Sequence, residues 1–441
     1  MNMKKGFFSK ALIFTVTLFT TIAAYAQDGA YSGYTPYSIF AVGDLMNQGS
    51  AYNAGMGGVG IATRNKRYIN YMNPAAVTAR DTLSFMADMS LHQANKVFAQ
   101  NDMKTVNNTF NISSVALSFP VYKSSAMMFG LAPYSSTGYG CYLQDDDPQM
   151  IEDTGGLYYS STGQGSLFQV FGAFGVTFWK RLSLGVQVNE YVGNISKNNK
   201  LDFIDEAFSD VSSGSNLILR GTTGKFGLQY EQPLGNNLTL GVGATYKLGS
   251  KMRGYSQDYQ FAQGTVQIDT LRYSVDTLSK SHSVSFADEI AVGISLNSND
   301  RWRAEIDYTR SDWTNTGITT ATGFAVNGQS KFAATSSESI RAGFEIVPNR
   351  NDIRYYHRRC AYRIGAYREK SYYMLDGNNV SSMGITLGGT LPVFRYYNGV
   401  TWAVDLGQRG TSAQNMIRER YVKFTIGFNF FDYWFQKARY N

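Results

Sequence analysis

Three glycines near the N-terminus have the spacing of a dinucleotide-binding loop. Gly55, Gly57 and Gly60 match the pattern G-x-G-x-x-G, in which the backbone approaches a pyrophosphate at the start of a helix. That chemistry requires a buried strand before the glycines and a helix after them. Segment 44–53 is polar instead, and Pro74 interrupts the stretch after the glycines. The motif therefore does not predict a nucleotide cofactor.

Nucleophilic catalysis is equally poorly supported. It needs a base beside the nucleophile, usually histidine, and the only histidines are His92, His282 and His357. They fall on different predicted segments, His92 near the outer rim and His357 in a periplasmic turn. The sequence contains no G-x-S-x-G, H-E-x-x-H or C-x-x-C motif. We predict no enzyme activity and no cofactor.

Two acidic runs could offer oxygen ligands to a metal ion. They are Asp145-Asp146-Asp147 and Glu152-Asp153, and carboxylates are hard ligands of the kind that Ca²⁺ prefers. Acidic clusters of this kind are more often exposed charge in a solvated loop. We interpret both runs as parts of an external loop and predict no metal site.

The composition narrows the class of protein. Of 441 residues, 17% are charged and 15% are aromatic, with 44 Gly and only 2 Cys; average soluble chains have about 25% charged residues. The scarcity of Cys excludes a disulfide-rich scaffold. Apart from a short N-terminal stretch, the apolar residues are dispersed and not collected into the runs of about 20 that membrane helices need. These features are typical of a large β protein.

Long segments with a two-residue period predict membrane-spanning strands. One example alternates Leu238, Leu240, Val242, Ala244 and Tyr246 with small or polar residues, which places the apolar side chains on one sheet face. Such runs last ten residues or more and suit tilted strands that cross a bilayer. We count fourteen, at 83–92, 112–121, 126–136, 165–178, 181–195, 216–231, 238–253, 282–297, 301–312, 338–347, 360–369, 383–392, 399–409 and 420–430.

The connections alternate between short and long, as in outer-membrane barrels with periplasmic turns and external loops. Segment 348–359 is the one longer turn, and segments such as 93–111, 137–164 and 196–215 are predicted loops. Both termini are then periplasmic. The predicted fold is an all-β, fourteen-stranded antiparallel outer-membrane β-barrel with an N-terminal plug.

The predicted organisation has four parts. Residues 1–26 form a signal peptide, because lysines flank the apolar stretch 11–24 and Ala24-Tyr25-Ala26 resembles a cleavage site. Residues 27–81 form the plug, 82–431 the barrel and 432–441 a periplasmic C-terminal tail. Removal of the three signal lysines lowers the formal net charge from +7 to +4, a modest excess that does not indicate a nucleic-acid partner.

The N-terminal motif resembles the plug of FadL-family outer-membrane transport barrels. Gly57, Gly58 and Gly60, together with Asn73, Pro74 and Ala75, are similar to the Gly-rich stretch and the Asn-Pro-Ala element of that plug. The C-terminal segment 419–441 resembles Bacteroidota barrels of this group, which share the PorV-type layout. The resemblance also implies a kink in the third strand that opens a lateral passage, and Gly130 and Pro133 are the candidate gate residues.

This resemblance implies two possible functions. The first is passive uptake of hydrophobic small molecules, with a hydrophobic ligand and membrane lipid as partners. The alternative is a non-transporting platform that binds partner proteins in secretion or outer-membrane assembly. The polar inward positions of the predicted strand 301–312 favour the platform, although Arg64, Lys66 and Arg67 of the plug could cover them. Both functions place the protein in the cell outer membrane.

Overall fold

The structure is a computed structural model. It describes residues 33–80, 84–145, 147–205, 207–235, 237–263, 268–277, 284–298, 301–319, 332–393, 398–413 and 416–433. The predicted signal peptide and residues 434–441 lie outside the described residues, as does His282.

The described strands form a single antiparallel sheet that closes on itself. In chain order they are β1 (Asp44–Leu45), β2 (Ser84–Gln100), β3 (Met103–Tyr122), β4 (Ser125–Gln144), β5 (Leu157–Phe178), β6 (Leu182–Phe203), β7 (Asp210–Leu234), β8 (Leu238–Lys247), β9 (Arg253–Gln263), β10 (Ile268–Thr277), β11 (Glu289–Ser298), β12 (Trp302–Asp312), β13 (Phe332–Ala334), β14 (Ser336–Ile346), β15 (Ala361–Leu375), β16 (Asn378–Pro392), β17 (Gly399–Arg409) and β18 (Arg418–Tyr433).

These segments make fourteen barrel strands, as predicted. β7 pairs with β8 along one half and with β9 along the other, so β8 and β9 are one interrupted strand. β10 with β11, and β13 with β14, are interrupted in the same way. β18 pairs with β2 over sixteen residues and closes the barrel. The fold prediction is therefore confirmed.

Several predicted loops are strands in the structure. Segment 93–111 is a hairpin in which β2 and β3 continue to a turn at Asn101 and Asp102. Most of 137–164 and 196–215 is likewise paired strand. These outer extensions are rich in Asn, Ser, Thr and Lys on both faces. They lack the apolar alternation that a strand facing lipid requires, so periodicity alone did not detect them.

The two faces of the barrel wall differ as the alternation predicts. Along β11, Ile290, Val292 and Ile294 point outward and are 57%, 47% and 58% exposed, whereas Ala291 and Ser295 point inward and are buried. We call the end of the barrel with the connections 123–124, 179–181 and 347–360 the turn end, and the opposite end the loop end. The turn end is the predicted periplasmic end.

The segment before β2 fills the lumen. From the loop end it runs through a 3₁₀ turn at Pro36–Ile39, strand β1, a helical turn at Ala51–Ala54 and a second 3₁₀ turn at Pro74–Thr78. We refer to residues 33–80 as the plug. Two further short helices, Pro148–Thr154 and Tyr356–Arg359, lie in connections between strands. None of the helices in the described part of the chain has the length and apolar character of a transmembrane helix.

The two cysteines lie at opposite ends of the barrel and are free thiols. Cys141 is exposed in the outer part of β4, whereas Cys360 is buried immediately before β15, at the turn end. A disulfide requires Cα atoms within about 7 Å, and the length of the wall lies between these two residues.

A matched pair of substitutions tests the outward face. Arginine on the lipid face costs about 2–4 kcal/mol at the bilayer midplane and about 0–1 kcal/mol near the interface. Ile294 lies in the middle of the wall, and Ile290 has the same exposure on the same strand but lies nearer the loop end. We expect Ile294→Arg to lower the free energy of unfolding in lipid vesicles by about 2–4 kcal/mol and Ile290→Arg by about 1 kcal/mol or less. Equal losses in a denaturant titration would contradict the assigned depth.

Candidate functional site

The glycine loop of the plug lies directly against the barrel wall. Gly57 and Gly58 have φ angles of +72° and +81°, which side chains other than glycine adopt only with strain. The Gly57 amide donates to Thr386 Oγ1 at 2.8 Å. A Cβ on Gly57 would lie 2.6 Å from the carbonyl oxygen of Ala342. Glycine is therefore required here by both conformation and space.

The wall opposite this loop is also made of glycines. Inward-facing glycines of the wall adjoin the plug, so that a Cβ on any of them would collide with plug atoms. They are Gly185 and Gly227 against Pro74, Gly243 against Ile61, Gly343 against Met56, Gly365 against Gly57, and Gly388 against Gly55. The plug atoms are backbone in every case except Gly227, which adjoins the Asn73 side chain and the Pro74 ring. The small inward residues that the sequence alternation revealed thus create the space in which the plug lies.

Two buried carboxylates of β12 bind the plug backbone. Asp307 Oδ2 accepts hydrogen bonds from the amides of Gly60 at 2.7 Å and Ile61 at 2.9 Å. Glu305 accepts from the amide of Ala62 at 2.9 Å and from the Thr63 hydroxyl. Both side chains are buried, and each accepts from two donors of the plug. β12 therefore holds four consecutive plug residues through its inward side chains.

Arg64 forms an ion pair with Glu231 of β7 and not with the acidic residues of the predicted strand 301–312. Its Nε lies 3.0 Å from Glu231 Oε2, whereas Glu305 and Asp307 of β12 bind backbone. At the same residue the wall also donates to the plug, because Arg303 of β12 donates to the Arg64 carbonyl oxygen at 2.6 Å. Burial lowers the pKa of Arg64, and the neighbouring Glu231 opposes that shift.

Asn73 joins two parts of the plug to the wall. Its Oδ1 accepts from the Ala75 amide at 3.0 Å and caps the 3₁₀ turn that Pro74 begins. Its Nδ2 donates to the carbonyl oxygens of Ile61 at 2.8 Å and of Leu228, on β7, at 3.2 Å. The side chain is fully buried. The bond to the Ala75 amide is of the kind that asparagine side chains make to nearby backbone in turns. The contact with Ile61 brings the glycine loop and the Asn-Pro-Ala element together.

The ladder of hydrogen bonds between β3 and β4, the second and third barrel strands, ends before the loop end is reached. β3 and β4 pair only from Tyr122 and Ser125 up to Val115 and Leu131. From Ala132 to Tyr139, β4 is buried and turns into the lumen, while its pairing with β5 continues with a shift next to Pro133. Among the described strands, the outer half of β3 pairs only with β2.

Where β4 no longer pairs with β3, the plug covers the exposed edge of β4. β1 pairs with it, with Leu45 opposite Ser135. The amides of Met46 and Thr35 donate to the carbonyl oxygens of Tyr134 and Gly138, each at 2.8 Å. Gln48 Nε2 donates to the Pro133 carbonyl oxygen at 3.1 Å.

The two candidate gate residues therefore have different positions. Pro133 lies at the break, two residues beyond Leu131, which is the last residue of β4 that pairs with β3. Gly130 lies within the paired part of β4, opposite Ala116. A Cβ on Gly130 would lie 2.7 Å from the Val115 carbonyl oxygen and would collide with the Phe171 ring. Close packing explains this glycine.

Sequence reasoning missed a polar cluster that fixes the plug at the loop end. Asp44 of β1 pairs with Arg409 at 2.8 Å, and Glu419 pairs with Lys96 at 2.7 Å and accepts from the Thr35 hydroxyl at 2.8 Å. Burial alone would raise the pKa of Asp44, but Arg409, Lys96 and Lys423 together offset that effect and hold the pKa below its usual value. The sequence feature that could have revealed this cluster is the inward-facing charge on the outer parts of β2, β17 and β18, namely Lys96, Arg409 and Glu419.

The cavities that we find between plug and wall are small, and both polar and apolar groups line them. One of about 60 Å³ is lined by Gln48, His92, Arg341, Asp405 and Lys423 among others, and one of about 50 Å³ lies beside it. A cavity that binds benzene in another protein measures about 150 Å³. His92 is buried here, with a ring nitrogen 2.7 Å from the Ser113 hydroxyl. Because β2 continues from His92 to Gln100, this residue lies within the wall, and the predicted position near the outer rim is wrong.

The acidic runs do not form a metal site in the described part of the chain. Asp147 caps the helix Pro148–Thr154 by accepting from the Gln149 amide at 3.0 Å. Glu152 and Asp153 are exposed on that helix. No group of metal-binding side chains occurs among the described residues.

Comparison with known proteins identifies the family. The BamG family model matches residues 8–441. The chain belongs to the BamG family. No curated protein matches its sequence.

Solved structures confirm the resemblance to FadL-family barrels at the level of the fold. The toluene transporter TodX of Pseudomonas putida is 15% identical with a TM-score of 0.54, and the match covers 89% of this chain and 99% of TodX. The Ralstonia pickettii toluene transporter TbuX is 14% identical with a TM-score of 0.53, covering 87% and 98%. A Pseudomonas aeruginosa FadL homologue is 10% identical with a TM-score of 0.51, covering 89% and 99%.

Substitution of one wall glycine tests whether the plug needs this close approach. In Gly365→Ala the new methyl group would collide with the Gly57 amide, whereas in Gly224→Ala it would meet only the end of the Leu248 side chain at 3.4 Å. Overpacking of this kind costs about 1–3 kcal/mol. We expect Gly365→Ala to make the plug sensitive to protease under conditions in which the wild type and Gly224→Ala are resistant. A resistant Gly365→Ala plug would show that the contact is dispensable.

Removal of the Asn73 side chain tests the junction within the plug. Asn73→Ala leaves the Ala75 amide without its acceptor, whereas the Ile61 carbonyl oxygen keeps a hydrogen bond from Gln229 Nε2 at 2.9 Å. A buried amide without a partner costs about 1–3 kcal/mol. We expect the temperature of the heat-dependent mobility shift in gel electrophoresis to fall relative to the wild type. The exposed Asn379 of β16 supplies the control, and Asn379→Ala should leave the transition unchanged. An equal shift in both variants would exclude a special role for Asn73.

Proposed function

We propose that this BamG-family chain is a plugged outer-membrane β-barrel that binds partner proteins in outer-membrane assembly or protein secretion and does not transport small molecules. The observation that carries the proposal is the bonding of the plug backbone to the wall by Glu305 and Asp307. A lumen built for passage would need those bonds to break. The family match and the assembly context that it suggests add support.

Moving the plug would be energetically costly. Displacing residues 60–63 would leave the buried acceptors Glu305 and Asp307 and several amides without partners. Each such loss costs about 1–3 kcal/mol, unless water or a ligand replaces the bond. The cavities between plug and wall, of about 60 and 50 Å³, provide little room for a hydrophobic molecule. A fixed plug suits a scaffold whose binding surfaces lie outside the lumen.

Uptake of hydrophobic small molecules is the second candidate, and the broken ladder beside β4 favours it. Neighbouring strands separate above Leu131, which offers a route between lumen and bilayer if the plug segment on the free edge withdraws. The solved barrels of the same fold include toluene transporters. In this hypothesis a ligand enters from the loop end and leaves beside Pro133 into the membrane.

A disulfide between β1 of the plug and the unpaired edge of β4 distinguishes the two functions. Leu45 and Ser135 are directly opposed in an antiparallel pair, whose Cα separation of about 4.5–5.5 Å suits a disulfide. We propose Leu45→Cys with Ser135→Cys in a background in which Cys141 and Cys360 are replaced by Ser. The platform hypothesis predicts that the oxidised protein retains a stoichiometric partner during purification from native membranes without crosslinking.

The same variant tests uptake directly. The uptake of several labelled hydrophobic compounds is measured in a deletion strain that carries either the wild type or the double-cysteine variant, before and after reduction. Uptake that needs the wild type, stops in the oxidised variant and returns on reduction would contradict the platform proposal. The single variant Leu45→Cys is the control for the substitution itself. We expect no uptake above the deletion strain with any of them.

A further inference from the structure

The connection from β14 to β15 is the longest at the turn end. It contains Arg350, Arg354, Arg358 and Arg359 against a single acid, Asp352. Apart from Arg350 and Asp352, its residues from Pro348 to Arg359 are exposed. Neither the platform function nor the uptake function uses this segment, which we call the basic turn.

The basic turn has a fixed conformation. Asp352 Oδ1 accepts from the amides of Arg354 at 2.9 Å and Tyr355 at 2.8 Å, and Oδ2 lies 3.4 Å from Arg358 Nη1. The hydrogen bond from the Tyr355 amide is the main reason that the pKa of Asp352 lies below its usual value. The Asn349 amide donates to the Arg358 carbonyl oxygen at 2.8 Å and closes the turn. The arginines therefore project from an ordered backbone.

Tyrosine rings hold three of the guanidinium groups. Those of Arg354 and Arg358 lie 5.2 and 4.8 Å from the centre of the Tyr355 ring, and that of Arg359 lies 5.1 Å from the Tyr356 ring. Such contacts occur about once per 70–80 residues on average, so three within six residues mark a local arrangement. A guanidinium stacked on a ring still presents its N–H groups at the edge, in the geometry that binds phosphate oxygens.

The turn adjoins the outward apolar face of the barrel. Ile346, Tyr362 and Trp402 belong to one cross-strand row near the turn end, and all three are exposed on the outer face. Aromatic residues in such rows lie at the level of the lipid headgroups. The Tyr362 hydroxyl donates to the His357 carbonyl oxygen at 3.0 Å, which ties the basic turn to this level.

We propose that the basic turn binds the phosphate of an anionic phospholipid in the leaflet at the turn end, through Arg354, Arg358 and Arg359. The proposal rests on the outer-membrane placement but not on the platform function. Charge complementarity is the reason for proposing phosphate as the bound group, since clusters of basic residues beside a membrane bind anionic headgroups.

The apolar side chains of the turn favour lipid over an acidic protein segment. Ile353 is 99% exposed, and Tyr355 and Tyr356 are 39% and 46% exposed. Side chains of this kind beside arginines suit the boundary between headgroups and acyl chains, where the apolar part enters the membrane and the charge stays with the phosphates. Binding of an acidic peptide is an outcome that the experiment distinguishes.

The test measures lipid binding by the full-length protein in detergent. Fluorescent phosphatidylglycerol and phosphatidylethanolamine are titrated separately, with folding checked by heat-dependent gel mobility. We expect saturable binding of phosphatidylglycerol that weakens with salt, and at least about a tenfold loss of affinity in Arg354→Gln, Arg358→Gln, Arg359→Gln. The variant with lysine at all three positions keeps the charge but loses the planar guanidinium groups. We expect its affinity for phosphatidylglycerol to lie between those of the wild type and the triple glutamine variant.

The control removes the same charge at the other end of the barrel. Arg310, Arg368 and Arg420 are exposed toward the loop end, and Arg310→Gln, Arg368→Gln, Arg420→Gln should bind phosphatidylglycerol like the wild type. Equal loss in both triple variants, or equal affinity for the two lipids, would overturn the proposal. So would complete displacement by millimolar inorganic phosphate, which would indicate a site for the free ion, or displacement by an acidic peptide at equal charge concentration. Retention of a protein partner in the triple glutamine variant leaves the platform proposal unaffected.

Discussion

A backbone enclosed in a barrel has to find its hydrogen-bond partners inside that barrel. Many plug residues are buried in the lumen, and buried amides and carbonyl oxygens are rarely left unpaired. The wall supplies the partners through the carboxylates of β12 and the Thr386 hydroxyl, and the plug adds its own Asn73 side chain. These bonds form only because inward glycines allow the two backbones to approach. The closed lumen follows from this requirement.

The break beside β4 obeys the same constraint. When β4 leaves β3 and turns into the lumen, one side of its backbone loses its ladder partners. β1 and the amides of Thr35 and Met46 replace them. The plug and the break are therefore one structural unit: the plug lies on an edge that the barrel exposes, and the edge is stable in the lumen because the plug is there.

This arrangement shapes what the protein can bind. The interior is occupied by contacts between plug and wall. They include the ion pairs Arg409–Asp44 and Lys96–Glu419 toward the loop end and Arg64–Glu231 toward the turn end, together with a buried apolar cluster that contains plug residues Tyr37, Phe40 and Val42. The accessible chemistry lies elsewhere, on the apolar outer face and in the ordered turn that carries Arg354, Arg358 and Arg359. A barrel with a filled lumen and distinct outer surfaces is well suited to contacts with lipid and protein.

The sequence by itself determined the barrel, because a two-residue period records which side of a strand faces lipid. It also identified the glycines and the Asn73-Pro74-Ala75 element, since positive φ and a turn bond are local properties of the chain. The outer extensions of β2 to β7 escaped detection because strands that do not face lipid lack the apolar period.

Only the tertiary structure decided which groups meet. Glu305 and Asp307 bind backbone amides and not the plug arginines, because an amide carries no signal in the sequence and its position depends on how the plug folds back. Pro133 and Gly130 are three residues apart, yet one lies at the break and the other within the ladder. That difference depends on where β3 stops following β4, a long-range pairing that the residues of neither strand specify alone.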